Sequence, residues 1–380
     1  MQSRRIALAQ LAPALGALEE NLARHHELLT EARDHGADLV VFPELGLTGY
    51  QLQDLSGDVA IRLDDPRLAA LAADTTGCSA IVSFVEESAD HRLFIAGALL
   101  EDGEVRHVHR KLFLPTYGLF DERRFFAAGD LLRAVPSRLG VGLGLAICED
   151  FWHLPVAELL ALDGAQVLVN IAASPGRDLG ATNEVGLGTA TSWRTLMRAY
   201  AQLTTSFVIF VNRVGVEESI TFWGGSEVIG PAGDTLLSAP FFDEGLFVCD
   251  INLEDIRRER LALPLLRDER PELQVRELER IITERAGIAQ DASSEPGGAE
   301  GPEVAPELGP GRPAGFTGSA IGHRNTASAH VDAASAHRAT ATAHRTTASA
   351  HRDNASRHVD AASAHLDTAS RAEAAGPDAP

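Results

Sequence analysis

Three side chains of complementary chemistry stand at the ends of three predicted strands. Glu44 follows the apolar run LVVF, Lys111 follows the run EVRHVHR and Cys148 follows the run LGLAI. A thiol attacks as its thiolate, so it needs a base, and a carboxylate provides one. The tetrahedral intermediate then carries an oxyanion, which a fixed ammonium group stabilises. Together the three residue types favour nucleophilic catalysis by a thiol at a strand-to-turn corner.

Each of the three residues also has a plain structural interpretation. Glu44 alone is compatible with a turn or a helix start, and a lone cysteine such as Cys148 is most often an inert core residue. Cys78, at a predicted strand start, and Cys249, within an alternating strand pattern, fit that core interpretation. Only the combination of thiol, carboxylate and ammonium group points to chemistry.

Lys111 is the one lysine among the 33 Lys and Arg residues of the chain. Arg is a wide, permanently charged fork, whereas Lys is a compact point charge. A basic residue that only keeps a loop exposed to water would be expected to be Arg, because nearly every other basic residue of the chain is Arg. The exception therefore indicates a position that requires a compact ammonium group.

Composition excludes several classes of protein. The 380 residues, 45% of them hydrophobic, suffice for a large core, and no run approaches the ~20 apolar residues of a membrane helix. Three separated cysteines exclude a disulfide scaffold and a zinc ribbon, and no metal site is predicted. A net charge of −21 argues against nucleic-acid binding. We predict a cytoplasmic protein that binds neither membrane nor nucleic acid.

The N-terminal segment has two interpretations. Two arginines before a short apolar run imitate a signal peptide, but Gln10 and Pro13 interrupt that run within the length a signal core requires. We favour a first core strand.

Strand and helix patterns alternate up to about residue 285, which predicts an α/β domain over residues 1–287. Asp102-Gly103 predicts a hairpin between two of the strands, and residues 231–234 predict a second turn. Predicted strands are 6–11, 38–42, 80–85, 93–100, 104–109, 142–147, 166–171, 206–211 and 246–251. Predicted helices are 18–32, 156–162, 189–203, 253–263 and 271–285.

Beyond the predicted domain the composition changes. Residues 288–322 form a Pro-, Gly- and Glu-rich linker, residues 323–371 contain seven heptapeptide repeats with one His each, and residues 372–380 form a short tail. The repeats lack the paired apolar positions of a coiled coil. A His ladder that binds metal is the alternative, but we predict a disordered C-terminal tail, because it has no apolar face to bury.

Three motifs together resemble the nitrilase, or carbon–nitrogen hydrolase, superfamily. They are VVFPELGLTGY at 40–50, HRKLFLPTYGLFDERRFF at 109–126 and LGLAICEDFWH at 143–153. The motifs are most similar to those of the glutaminase domain of glutamine-dependent NAD synthetases. The synthetase loop of SGGxDS type is not found in this sequence, so neither ATP use nor NAD synthesis is expected of this chain alone.

The resemblance implies a role for each motif residue. Cys148 is the expected nucleophile, Glu44 the general base, and Lys111 the oxyanion donor together with the backbone N–H of Glu149. Glu122 is expected to hold Lys111.

The resemblance further implies a substrate pocket shaped by Tyr117 and Trp152, a four-layer αββα sandwich, and a homodimer or higher homo-oligomer. No cofactor is expected. The implied activity is cleavage of a small linear, glutamine-like carboxamide with release of ammonia. Alternatives are a glutaminase subunit that feeds a separate synthetase partner, a hydrolase of nitriles proper, and a non-catalytic scaffold.

Overall fold

The computed structural model describes residues 3–176 and 188–293, with side chains up to residue 285. Within these ranges the chain forms two six-stranded sheets and one short hairpin. The repeats and tail predicted for 323–380 lie outside the described residues, as does the linker from residue 294 onward.

The first sheet is built mainly from the N-terminal part of the chain. Its strands are β1 Ser3–Gln10, β2 Leu39–Val41, β3 Ser79–Glu87, β4 Leu93–Glu101, β5 Glu104–Arg110 and β14 Gly245–Asn252, in the spatial order β14-β1-β2-β3-β4-β5. β1, β2 and β3 are parallel to one another, whereas β4 and β14 run antiparallel to their neighbours.

The second sheet follows from the middle of the chain. Its strands are β6 Ala134–Pro136, β7 Gly142–Ile147, β8 Ala165–Ala172, β9 Phe207–Asn212, β12 Glu227–Ile229 and β13 Thr235–Ser238, in the spatial order β13-β12-β9-β8-β7-β6. β7, β8 and β9 are parallel. The separate hairpin pairs β10 Val214–Glu217 with β11 Ile220–Trp223.

The described ranges contain eight α-helices, some of which cover the outer faces of the two sheets. They are α1 Leu18–Asp34, α2 Pro66–Ala73, α3 Glu122–Phe125, α4 Leu154–Leu162, α5 Gly188–Thr204, α6 Glu254–Ala262, α7 Leu265–Asp268 and α8 Pro271–Ser293. Apolar residues of α1 and α2 pack in one core with the first sheet, and those of α4 and α5 pack with the second. The layers are therefore helix, sheet, sheet and helix, which confirms the predicted αββα sandwich.

The side chains of β1 point alternately into two cores, which explains why the strand sequences are unbroken apolar runs. Ile6 and Leu8 point into the core between the two sheets, whereas Ala7 and Ala9 point into the core beneath α1 and α2. Successive side chains of a strand face opposite sides, so a strand covered on both faces needs apolar residues at every position.

Gly97 allows the two sheets to approach closely. A Cβ added there would lie 3.1 Å from side-chain carbons of both Leu145 and Ile171 on the facing sheet. A residue larger than glycine at this position of β4 would require the side chains of Leu145 and Ile171 to shift, because interiors are close-packed.

Most predicted elements are confirmed. β4 and β5 form the predicted hairpin, with Glu101 opposite Glu104 and positive φ angles at Asp102 and Gly103. α2 was not predicted from the sequence, although the Asp65 side chain caps it by accepting from the Arg67 backbone N–H and Pro66 occupies its first turn. α8 continues through residues 288–293, beyond the predicted domain boundary at 287.

No helix within the described ranges is both long enough and apolar enough to cross a membrane.

Candidate active site

The three sequence-predicted reacting residues follow the C-terminal ends of β2, β5 and β7. β2 and β5 run in the same direction, because β4 is antiparallel to both β3 and β5 while β3 is parallel to β2. Glu44 and Lys111 therefore emerge at the same edge of the first sheet. Cys148 emerges from the facing sheet, directly after β7. The carboxyl ends of parallel strands are a common location for functional groups in α/β sheets.

Lys111 is held between two carboxylates. Its Nζ donates hydrogen bonds of 2.7 Å to Glu44 Oε1 and of 2.7 Å to Glu122 Oε1. The side chains are buried, with exposed fractions of 1% for Lys111, 0% for Glu44 and 5% for Glu122. A buried ammonium group needs such partners, since an unpaired charge in the interior is very costly. The structure thus brings together three of the four residues to which the sequence assigned catalysis.

Both carboxylates have further donors. The backbone N–H of Ala173, just after β8, donates to Glu44 Oε2 at 2.8 Å, and the hydroxyl of Tyr50 donates to Glu122 Oε1 at 2.6 Å. Tyr50 is buried and was missed by the sequence analysis, although it is the last residue of the LTGY segment. The second oxygen of Glu122 has no hydrogen-bond partner within the described structure.

Cys148 begins a 3-10 turn, Cys148–Trp152, and has a φ angle of +46°. This left-handed conformation is unfavourable for a residue with a Cβ, and such strain clusters at functional sites. The turn presents the thiol at the corner between β7 and the following helix, as the strand-to-turn pattern predicts. Cys78 is fully buried and Cys249 is partly buried, and neither lines the cavity described below.

The electrostatics of the cluster favour a neutral thiol and a charged lysine. Burial, reinforced by the charge of Glu44, raises the pKa of Cys148 well above its ordinary value. Burial alone would lower the pKa of Lys111, but the charges of Glu122 and Glu44 outweigh it and raise that pKa. Burial also raises the pKa of Glu122 to about 7, against the opposing effect of Lys111.

Cys148 lines a cavity of about 440 Å³, a volume typical of small-molecule sites. The described lining residues are mostly aromatic or small and polar: Tyr117, Phe120, Cys148, Glu149, Trp152, Ser174, Pro175, Gly188, Thr189, Ser192 and Trp193. Among these described residues Glu149 carries the one carboxylate. All three sequence-predicted pocket residues, Tyr117, Trp152 and Glu149, therefore line the same cavity as the thiol.

Contacts order the cavity wall. The hydroxyl of Tyr117 donates to Glu149 Oε2 at 2.8 Å, and Trp152 packs edge-on against Trp193 with ring centroids 4.9 Å apart. Trp193 Nε1 in turn donates to Ser174 Oγ at 2.9 Å. Ser174 and Trp193 were not predicted as pocket residues, because no local sequence pattern separates them from ordinary core residues.

Residues 3–176 and 188–293 contain no group of three or more His, Cys, Asp or Glu side chains arranged to hold a metal ion.

The fold and the buried Glu–Lys–Glu cluster beside a corner cysteine agree with the family match. The model of the carbon-nitrogen hydrolase family matches residues 5–260, and the chain belongs to that family. It is thus a hydrolase that acts on carbon–nitrogen bonds other than peptide bonds, which confirms the predicted class.

Individual relatives are of two kinds. The glutamine-dependent NAD(+) synthetase of Thermotoga maritima is 34% identical over 270 residues, which are 70% of this chain but only 45% of that enzyme. A carbon-nitrogen hydrolase from Helicobacter pylori G27 has a TM-score of 0.63 at 28% identity, covering 71% of this chain and 96% of its own. An amidase from Nesterenkonia sp. AN1, with the acetamide moiety of fluoroacetamide added at its active-site cysteine, has a TM-score of 0.60 at 27% identity, covering 72% and 96%. The chain spans less than half of the curated synthetase it matches.

Proposed function

We propose that the chain hydrolyses a small linear, glutamine-like carboxamide through a thioester at Cys148 and releases ammonia. The observation that carries the proposal is the arrangement around Lys111. Its buried ammonium group donates hydrogen bonds to two carboxylates, and its charge acts on the Cys148 thiol, which lines a cavity. A nucleophile, a base and a cation that meet in one water-poor site are the components of acyl transfer.

The proposed reaction has two halves. Glu44 takes the thiol proton, and the sulfur attacks the amide carbon to give a tetrahedral oxyanion, stabilised by Lys111 and the backbone N–H of Glu149. The carbon–nitrogen bond then breaks, and Glu44 returns the proton to the departing ammonia. Water, deprotonated by Glu44, hydrolyses the thioester and yields the carboxylic acid and free Cys148. The sum is amide plus water to acid plus ammonia.

The electrostatics support this order of events. Because burial raises the pKa of Cys148, the resting group is the thiol, and attack requires a base at the moment of reaction. Lys111 stays protonated over the working pH range, because its two carboxylate partners raise its pKa. Its charge is therefore available when the oxyanion forms.

The cavity wall supports a substrate that carries an ammonium group. Glu149 places a carboxylate there, and its partner Tyr117 orients it through a hydrogen bond of 2.8 Å. The α-ammonium group of glutamine would pair with this carboxylate. The similarity to a glutamine-dependent enzyme points to the same substrate.

The same similarity supports a second candidate, in which the ammonia passes to a separate synthetase partner. In that case glutamine hydrolysis by the isolated chain would rise on adding the partner.

The substrate proposal predicts the behaviour of Glu149→Gln on a panel of amides. We expect kcat/KM for glutamine to fall by about 10- to 100-fold, because a charge-assisted hydrogen bond contributes ~1.5–3 kcal/mol. Propionamide, which lacks the ammonium group, should be hydrolysed by the variant at nearly the wild-type rate. Ammonia release is the measurement. Equal losses on both amides would show that Glu149 does not recognise the ammonium group, and hydrolysis of propionamide without any of glutamine would exclude the glutamine-like substrate.

The raised pKa of Glu122 predicts a pH dependence. As the pH falls through about 7, Glu122 takes up a proton and the negative charge beside Lys111 is lost. Glu122 lines a second cavity of about 220 Å³, through which we propose that it exchanges protons with solvent. We therefore expect kcat/KM to decline on the acidic side of about pH 7 and to reach a plateau above it.

Glu122→Gln, which is neutral at every pH, should lack this decline. Its kcat/KM should be about tenfold below wild type at about pH 8 and should approach wild type at about pH 6. The measurement is kcat/KM between about pH 5 and about pH 9. A variant that keeps the wild-type profile would assign the acidic limb to another group.

A further inference from the structure

The carboxylate of Asp150 is a buried acceptor of four hydrogen bonds. Oδ1 accepts from the backbone N–H groups of Leu112 and Phe113 at 2.9 and 3.0 Å, and Oδ2 accepts from the backbone N–H of Ile147 at 3.0 Å. His109 Nε2 lies 2.8 Å from Oδ2 and donates the fourth bond in the tautomer that carries its hydrogen on Nε2. The side chain of Asp150 is 0% exposed and does not line the cavity.

The donors and Asp150 itself lie on both sides of each reacting residue in the chain. His109 and Leu112 lie on either side of Lys111 in the chain, and Ile147 and Asp150 lie on either side of Cys148. One carboxylate is therefore hydrogen-bonded both to the segment that carries Lys111 and to the turn that carries Cys148.

The two segments have no sheet hydrogen bonds to each other. β5 is the edge strand of the first sheet, and β7 lies in the second. Two hydrogen bonds described above also cross between the sheets near the site, from the Ala173 backbone N–H to Glu44 and from the Tyr117 hydroxyl to Glu149, but neither involves the residues directly beside Lys111 in the chain. The Asp150 carboxylate supplies directional bonds at this boundary, beside the strained φ angle of Cys148.

We propose that Asp150, held by His109, is a positioning residue that fixes the separation between Lys111 Nζ and Cys148 Sγ. The proposal rests on the proposed function, in which those two groups act on one carbonyl. Asp150 itself touches no substrate. A displacement of about 1 Å at reacting groups costs up to about 100-fold in rate, which gives such a residue a large effect from a distance.

Asp150→Asn is the primary test. An amide offers one acceptor oxygen, and its NH2 group would face two N–H donors, so one of the two segments must come loose. We expect kcat for amide hydrolysis to fall by about 10- to 100-fold, with KM changed by less than about threefold. Activity is normalised to folded protein from a melting curve. A kcat within about twofold of wild type, or a loss confined to KM, would overturn the proposal.

Glu101→Gln is the matched control for loss of a buried carboxylate. Glu101 is buried in the first sheet, where its Oε1 accepts from Ser79 Oγ at 2.9 Å and from the Arg138 backbone N–H at 3.1 Å. We expect this variant to lose melting temperature but to keep kcat. If Glu101→Gln loses as much kcat as Asp150→Asn, general destabilisation explains both, and the proposal is wrong.

His109 provides a second, independent variant pair. His109→Leu removes the donor to Asp150, whereas His109→Gln keeps an N–H donor on a side chain of similar reach. We expect a loss of kcat in His109→Leu that His109→Gln largely restores. Equal losses would contradict the part assigned to His109.

The rate of Cys148 alkylation by iodoacetamide separates this proposal from the proposed function. That rate reports the coupling of thiol and lysine whether or not any amide is hydrolysed. We expect Asp150→Asn to slow it by several-fold at constant pH and Glu101→Gln to leave it unchanged. If the wild-type protein hydrolyses no amide but Cys148 is still alkylated more slowly in Asp150→Asn than in wild type, the proposed function is refuted and the positioning role is kept. An alkylation rate in Asp150→Asn equal to that of wild type would refute the positioning role.

Discussion

Cys148→Ala is expected to abolish amide hydrolysis while the protein stays folded. Removal of the nucleophile of an acyl-transfer site costs about 10⁴-fold or more in kcat. The fold should survive, because Ala occupies the same left-handed backbone position and the substitution removes only the sulfur atom. Ammonia release under saturating amide, with a melting curve on the same sample, is the measurement.

Cys78→Ala is the matched control for this prediction. Cys78 is fully buried, and burial raises its pKa to about 11, so it is expected to be inert. The control should keep full activity and should still gain one alkyl group at Cys148 on treatment with iodoacetamide. Residual activity of Cys148→Ala above about 1% of wild type would exclude the thioester route.

Lys111→Arg is expected to lose ~3–4 kcal/mol of transition-state stabilisation, or about 10²–10³-fold in kcat/KM. The substitution conserves charge, so the loss comes from shape. Lys111 Nζ sits 2.7 Å from a carboxylate on each side in a fully buried site, where the wider guanidinium cannot occupy the same point. The measurement is kcat/KM, taken well below the melting temperature, because an overpacked side chain also costs stability.

Arg110→Lys is the reciprocal control, one residue away. Arg110 pairs with Glu86 and stacks on Phe94, outside the reacting cluster. We expect its replacement to change kcat/KM by less than about twofold. If Lys111→Arg stays within about threefold of wild type, Lys111 is not the oxyanion donor.

The order of strands and the chemical types at their ends could be predicted from the sequence. An apolar run covered on both faces is recognisable from local composition, and so is a Glu, Lys or Cys that ends it. β2, β5 and β7 were all found in this way. α2 was missed although its capping signal, Asp65 followed by Pro66, is visible in the sequence.

The contacts within the site could not be predicted from local patterns. Glu44 and Lys111 are 67 residues apart in the chain, and Tyr50 and Glu122 are 72 apart. Such pairs form only once strand order and sheet packing are fixed, and neither periodicity nor composition specifies the distance between two strand ends.

Asp150 shows the difference most clearly. In the sequence it is the second of two acids after a cysteine, and nothing distinguishes it from a solvated turn residue. In the structure it is fully buried and joins the two sheets, whereas its neighbour Glu149 lines the cavity.

The sequence by itself determined which groups are available for chemistry: one lysine, a corner cysteine and a strand-end carboxylate, in an α/β chain. Only the tertiary structure decided which of these groups meet, how deeply they are buried and which buried partners hold them. The physical reason is that residue type and strand position are local properties of the chain. Burial, pKa and hydrogen-bond geometry arise instead from segments that are distant in sequence and are brought together by the packing of two sheets.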